Sequence, residues 1–232
     1  MQPDLTALSD QMKNLLEELR GVAGQINLRG WAEANAGNIS VNIGEIAGEL
    51  YGRESQWYLV SRSGSRYRQI ANDPLPHLVL VRMDERGEEC FPAKARPTSE
   101  WICHKLLQRH FREIGSEEKV VLHAHPNSVI LLSQMEVYLD ERELNKLLRQ
   151  ALAELEIFLP EGVATTSSEP PGSNELAQCS LTAMGRRKAL IWQGHGLLCT
   201  GKNLNEALDY FEVVEKAATI ALKIFHLTKT AL

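Results

Sequence analysis

Lys119-Val120-Val121-Leu122-His123-Ala124-His125-Pro126 is a short apolar run that ends in two histidines one residue apart. An apolar stretch of this length, closed by proline, reads as a buried strand. On an extended backbone, residues i and i+2 face the same side, about 7 Å apart along the strand. His123 and His125 therefore project together from a rigid strand end. Two imidazoles so placed can converge on one ion, and tetrahedral zinc with an open position needs a third protein ligand. His195, between Gly194 and Gly196 in a tight turn, is the candidate. The competing reading is a chance pair in a chain with seven histidines; His77, His104, His110 and His226 read as surface or core residues.

The pattern around this run is mixed. Leu5, Leu8, Met12, Leu15, Leu16 and Leu19 recur at helical spacing and predict an amphipathic helix that stops near Gly30. Alternation over 39–43 predicts a half-buried strand. Further strands are expected over 57–60 and 78–83, the second closed by the turn Asp84-Glu85-Arg86-Gly87. Helical patterns cover 99–111, then the segment from 127 to about 155, then 175–184. Strands over 189–192 and 197–200 flank the His195 turn, and Pro/Gly-rich 160–173 reads as a loop. Asn203, with Glu206 three residues on, predicts a capped start to a long closing helix. Helices before, between and after strands imply a three-layer α/β fold, its central, largely antiparallel sheet covered on both faces. No low-complexity block divides the chain, so residues 1–232 read as a single domain.

Composition excludes several functions. The net charge of −5 is mild and the longest basic run is Arg186-Arg187-Lys188, too short for a nucleic-acid footprint. No segment reaches the ~18 apolar residues of a membrane span. The acidic start, with Asp4, Asp10, Glu17 and Glu18, is unlike a signal peptide. Cys90, Cys103, Cys179 and Cys199 form no CxxC pair and read as free thiols of a reducing compartment, so a cytoplasmic location is expected.

Two further groups can carry chemistry. Glu100 follows Thr98-Ser99, either of which can cap the helix expected there. Glu100 is then either a first-turn acid favoured by the helix dipole or a general acid/base beside the metal. Asn35-Ala36-Gly37-Asn38-Ile39-Ser40, Ser63-Gly64-Ser65 and Thr98-Ser99 combine glycine turns with hydroxyl and amide side chains. Such segments are ordinary turns, or they bind phosphate without much positive charge.

In order along the chain, these segments resemble the class II aldolase and adducin family, and within it most closely the rhamnulose 1-phosphate branch. The matching residues are Gly30-Trp31, 35–40, Ser63-Gly64, Pro97-Thr98-Ser99-Glu100, Leu122-His123-Ala124-His125, Pro160-Glu161-Gly162-Val163, Pro171-Gly172-Ser173-Asn174-Glu175 and Trp192-Gln193-Gly194-His195-Gly196. The resemblance spans residues 10–226. It implies a zinc-dependent enzyme, one ion per subunit, that reversibly cleaves a ketose 1-phosphate to dihydroxyacetone phosphate and an aldehyde such as L-lactaldehyde. By the same carry-over, His123, His125 and His195 hold the zinc and Glu100 moves the proton. Asn38, Ser63, Gly64, Thr98 and Ser99 bind phosphate, Asn35 contacts a substrate oxygen, and Glu154 serves a neighbouring subunit's site in a homotetramer. The Glu100 carboxyl is expected to rise toward neutrality. Two departures bear on substrate choice: Arg62 stands where the family has glycine, and the chain is short between Ile43 and Trp57. A pentulose-phosphate epimerase, a methylthioribulose-1-phosphate dehydratase or a non-catalytic adducin-head-like module are the alternatives on the same fold.

Overall fold

A computed structural model describes residues 9–52 and 54–230. Its helices are α1 (Asp10–Leu28), α2 (Gly44–Tyr51), α3 (Tyr67–Ile70), α4 (Trp101–Glu113), α5 (Asn127–Leu132), α6 (Glu141–Ala151), α7 (Glu154–Phe158), α8 (Asn174–Met184) and α9 (Leu204–Thr230). Its strands are β1 (Asn38–Asn42), β2 (Gln56–Ser61), β3 (Leu78–Asp84), β4 (Gly87–Phe91), β5 (Val120–Ala124), β6 (Val163–Thr166), β7 (Ala189–Trp192) and β8 (Gly196–Gly201). The strands form one sheet in the order β4-β3-β2-β1-β5-β8-β7-β6, antiparallel except for the β6–β7 pair. This is the three-layer arrangement expected from the sequence.

Period-two alternation sorts the sheet's apolar side chains into two layers. Val120, Leu122 and Ala124 of β5, with Leu197 and Cys199 of β8, join α1, α5, α6 and α9 in one core cluster. Val121 and Leu198 face the other way, onto α4 and α8. His123 has the parity of Val121, so it too lies on the α4 side of the sheet. Both layers are built of buried side chains, and β5 is buried along its whole length.

Several local expectations are corrected. The proposed half-buried strand, β1, is buried on both faces apart from Asn42, because its polar Asn38 and Ser40 face α4 and bond to it rather than to water. The turn at 84–87 continues into β4, an edge strand whose Gly-Glu-Glu start is exposed and carries no apolar period. Within the expected loop, the Val163–Thr166 run pairs with β7. The short segment after Ile43 forms α2. The helix expected from Ser99 begins at Trp101, with Glu100 at its N-cap position and no side-chain cap. The starts of α8, capped by Ser173, and α9 follow the usual chemistry; in α9 the Glu206 amide donates to Asn203 Oδ1 at 2.9 Å. Leu5 and Leu8, part of the expected first helix, lie outside the described residues. The four cysteines are free thiols, and no helix among the described residues is long and apolar enough to cross a membrane.

Candidate active site

The ends of β5, β1 and β2, the start of α4 and the β7–β8 turn meet at one end of the sheet's central strands. β5 carries His123, fully buried, while His125 follows the strand and is half-buried. The Gly194-His195-Gly196 turn brings the third ring alongside. A Cβ at Gly196 would sit 2.5 Å from Ala124 O and 3.0 Å from the His123 ring, so only glycine lets β8 approach β5 this closely. Ring centroids of the three histidines lie 4.8 to 5.0 Å apart. One nitrogen from each falls within 4.8 Å of the others.

The remaining ring nitrogens are largely committed. His123 Nδ1 donates to Leu197 O at 2.9 Å, and His125 Nδ1 donates to Glu33 Oε1 at 2.9 Å. Their Nε2 atoms therefore face each other, 3.2 Å apart. Burial pushes the His123 imidazole down to about 3, against the opposing pull of Glu100, so the ring is neutral and keeps a lone pair. His195 Nδ1 is a buried polar atom with no hydrogen-bond partner. Three converging imidazoles, one of them with its ring nitrogen orphaned, fit a divalent metal ion.

Glu100 completes the cluster. Its Oε1 lies 3.2 Å from His195 Nε2, its Oε2 lies 3.6 Å from His123 Nε2, and Asn38 Nδ2 donates to Oε2 at 2.7 Å. Burial alone would raise this carboxyl. The neighbouring His123 and His195 rings and the Asn38 amide donor outweigh it and hold the group well below the usual carboxylate range. The expected rise toward neutrality is thus reversed, because the carboxylate is surrounded by donors rather than by an apolar wall.

A cavity of about 300 Å³ opens beside Glu100, with His125 and His195 in its wall. Its lining also includes Asn35, Arg62, Ser63, Gly64, Thr98 and Ser99. The structure therefore brings together every site residue expected from the sequence except Glu154, which is exposed at the start of α7 and does not line this cavity. Asn38 also lines it, but its side chain is engaged by Glu100 and by His104. Trp192, stacked on His195 at 5.0 Å and packed against His123 at 4.4 Å, has a role the sequence reading did not assign, although it begins the motif that contains His195. Glu33 and Tyr67 were also missed. Tyr67 bridges Asn38 O and His123 O, and no local pattern marks it.

The family model for the class II aldolase and adducin N-terminal domain matches residues 17–222. The chain belongs to the class II aldolase family. Curated rhamnulose-1-phosphate aldolases are among its relatives. That of Mannheimia succiniciproducens is 26% identical over 223 residues, covering 85% of this chain and 81% of the relative. That of Listeria welshimeri is 29% identical over 221 residues, covering 85% and 78%. The solved sugar-phosphate aldolase from Thermotoga maritima superposes with a TM-score of 0.81 at 30% identity, covering 94% of this chain and 97% of that one. The L-fuculose-1-phosphate aldolase from Thermus thermophilus, at 20% identity and a TM-score of 0.66, covers 94% of this chain and 97% of its own and shares the fold. As a class II aldolase the chain is a metal-dependent lyase, and among the described residues the three-histidine cluster could hold a metal ion.

Glu33 offers a test of ligand orientation. A carboxylate on the outer nitrogen of a metal-binding histidine fixes the ring's tautomer and rotation. Glu33→Ala is expected to weaken divalent-metal binding, with zinc as the probe, by about tenfold, the low end for such partners, because Glu33 is exposed. Competition against a chromophoric chelator reads this directly; an unchanged affinity would remove Glu33 from the arrangement.

Proposed function

We propose that this chain is a cytoplasmic, zinc-dependent aldolase that reversibly cleaves a ketose 1-phosphate of the rhamnulose 1-phosphate type. The products would be dihydroxyacetone phosphate and an aldehyde such as L-lactaldehyde, which places the enzyme in rhamnose metabolism. The observation that carries the reading is a carboxylate, Glu100, held between three metal-competent histidines and a cavity lined by hydroxyls, amides and glycine. The relatives' names point to the same substrate class.

Breaking the C3–C4 bond leaves negative charge on the dihydroxyacetone phosphate half. Zinc on His123, His125 and His195 would supply the Lewis acid that stabilises this charge. The C4 hydroxyl gives up its proton as its carbon becomes the aldehyde, with Glu154 of a neighbouring subunit handling that oxygen. Glu100 delivers a proton to C3, so the net step moves one proton from O4 to C3; in the synthetic direction Glu100 removes it. Ser63, Gly64, Thr98 and Ser99 bind the phosphate, with Arg62 adding the cavity's positive charge at that end, and Asn35 contacts a substrate oxygen. Binding the phosphate sets register, so the reacting carbons meet Glu100 in a near-attack geometry. Asn38, first expected in the phosphate pocket, is better placed to hold Glu100, since that is where its amide points.

Glu154 would act from a neighbouring subunit of a homotetramer, each subunit a single domain. Support for this comes from its exposed position on α7, beside the exposed side chains of Ile157 and Phe158. The deciding experiment is a coupled assay for dihydroxyacetone phosphate on rhamnulose, fuculose, ribulose and xylulose 1-phosphates, with and without chelator. The expected result is release from rhamnulose 1-phosphate, abolished by chelator and restored by zinc. An isomerised or dehydrated product without dihydroxyacetone phosphate would move the assignment to the epimerase or dehydratase. No turnover and no bound metal would leave an adducin-like module.

A further inference from the structure

His104 sits one helical turn after Glu100 on α4 and is completely buried. Gln108 follows one turn later. A helix advances about 6 Å in four residues and a strand about 6.6 Å in two. The series Glu100, His104, Gln108 on α4 therefore matches Asn38 and Ser40 on β1 step for step. The contacts follow this ladder. Asn38 Nδ2 lies 2.7 Å from Glu100 Oε2, and His104 Nε2 lies 2.6 Å from Asn38 Oδ1. His104 Nδ1 lies 2.9 Å from Ser40 Oγ, and Gln108 Nε2 lies 3.3 Å from the same oxygen and 3.0 Å from Lys119 O.

Hydrogen-bond chemistry fixes the direction of every step. An ionised carboxylate only accepts, so Asn38 presents its NH2 to Glu100 and its oxygen to His104. His104 Nε2 must then carry the proton, which leaves Nδ1 bare. Ser40 donates its hydroxyl proton to Nδ1, and its oxygen accepts from the Gln108 amide. The Gln108 amide cannot be reversed, because that would set its oxygen against Lys119 O. Donation thus runs in one sense, from Gln108 through Ser40, His104 and Asn38 to Glu100, and every donor is neutral. Burial, against the pull of Glu100, pushes the His104 imidazole down to about 4, in keeping with the neutral ring that the geometry requires.

We propose that His104 is a positioning residue: as an Nε2–H imidazole it locks the Asn38 amide, which occupies Glu100 Oε2 and leaves Oε1 as the oxygen that exchanges the proton. Oε1 is the atom on the His195 side. This rests on the reading of Glu100 as proton carrier, but the tautomer does not depend on that reading.

The test has two arms. In metal-free protein labelled with ¹⁵N-histidine, long-range ¹H–¹⁵N spectra at pH 7 should show His104 as the neutral Nε2–H tautomer, assigned by its absence in His104→Gln. A cationic ring or an Nδ1–H tautomer would overturn the proposal. In zinc-loaded enzyme, His104→Phe fills the space without a donor, whereas the His104→Gln amide can still donate to Asn38. On rhamnulose 1-phosphate, His104→Phe should lower kcat about 10- to 100-fold, with zinc content and KM little changed. His104→Gln should recover most of that loss. Wild-type kcat in a folded His104→Phe, or an equal loss in both variants, would refute the positioning role. If His104→Phe does not fold, the tautomer and the activity of His104→Gln decide. If wild-type enzyme fails to cleave the substrate, the functional reading fails while the tautomer arm still stands or falls by itself.

Discussion

Glu100→Gln is expected to leave zinc bound at wild-type stoichiometry and to lower turnover by about 10²- to 10⁴-fold, roughly 3–5 kcal/mol of transition-state stabilisation. Glutamine is nearly isosteric, and its carbonyl oxygen can still accept from Asn38 in the place of Oε2. Packing against β1 and the start of α4 therefore survives. What disappears is the group that can pick up and return a proton. His123 and His125 keep their own partners, Leu197 O and Glu33, and His195, which faces Glu100 Oε1, is still held by its glycine-flanked turn and its stacking on Trp192. Because the proposed phosphate-binding residues, Ser63, Gly64, Thr98 and Ser99, are other members of the cavity lining, KM should change little and the loss should appear in kcat. Steady-state kinetics beside metal analysis measures both quantities; wild-type turnover in the glutamine variant would reject the proton-carrier role.

The reading of Glu100 shows what the sequence could and could not reveal. The 120–126 run was legible because strand burial, the i, i+2 rule and a terminating proline all point the same way. The His195 turn was legible because two glycines bracket a metal-binding residue type. Whether the three meet depends on β5 pairing with β8, a contact between residues more than seventy positions apart, and no local pattern encodes that. The order of motifs along the chain supplied what spacing could not.

β1 illustrates the opposite error. Its apolar–polar alternation obeys the rule for a half-solvated strand, yet the polar face is dry. Asn38 and Ser40 face Glu100, His104 and Gln108, and each polar group there has a partner, save Gln108 Oε1. Period two reports which side chains share a face; it says nothing about whether water or a buried network lies opposite. For the same reason His104 reads in the sequence as no more than a surface or core histidine. β4 escaped notice because an exposed edge strand needs no apolar pattern, and β6 because four residues between Pro/Gly-rich flanks are too few to establish a period.

His195→Ala carries the second large effect. His195 sits on a turn, with its side chain 14% exposed, so its removal spares the sheet. By contrast, replacing the fully buried His123 would open a hole against Trp192 and confuse metal loss with misfolding. Removing one of three ligands should cost about 3 kcal/mol of binding free energy, roughly a hundredfold or more in zinc affinity. Dialysis against a weak chelator should then strip the variant and leave the wild-type protein loaded. Activity should fall by at least about 10³-fold, because the depleted site can no longer stabilise charge on the substrate oxygens. Circular dichroism and Tm should stay near wild type, apart from the lost stacking on Trp192. Full zinc retention with unaltered affinity would show that His195 is no ligand, and Glu100 would then face a two-histidine site unable to support the proposed chemistry.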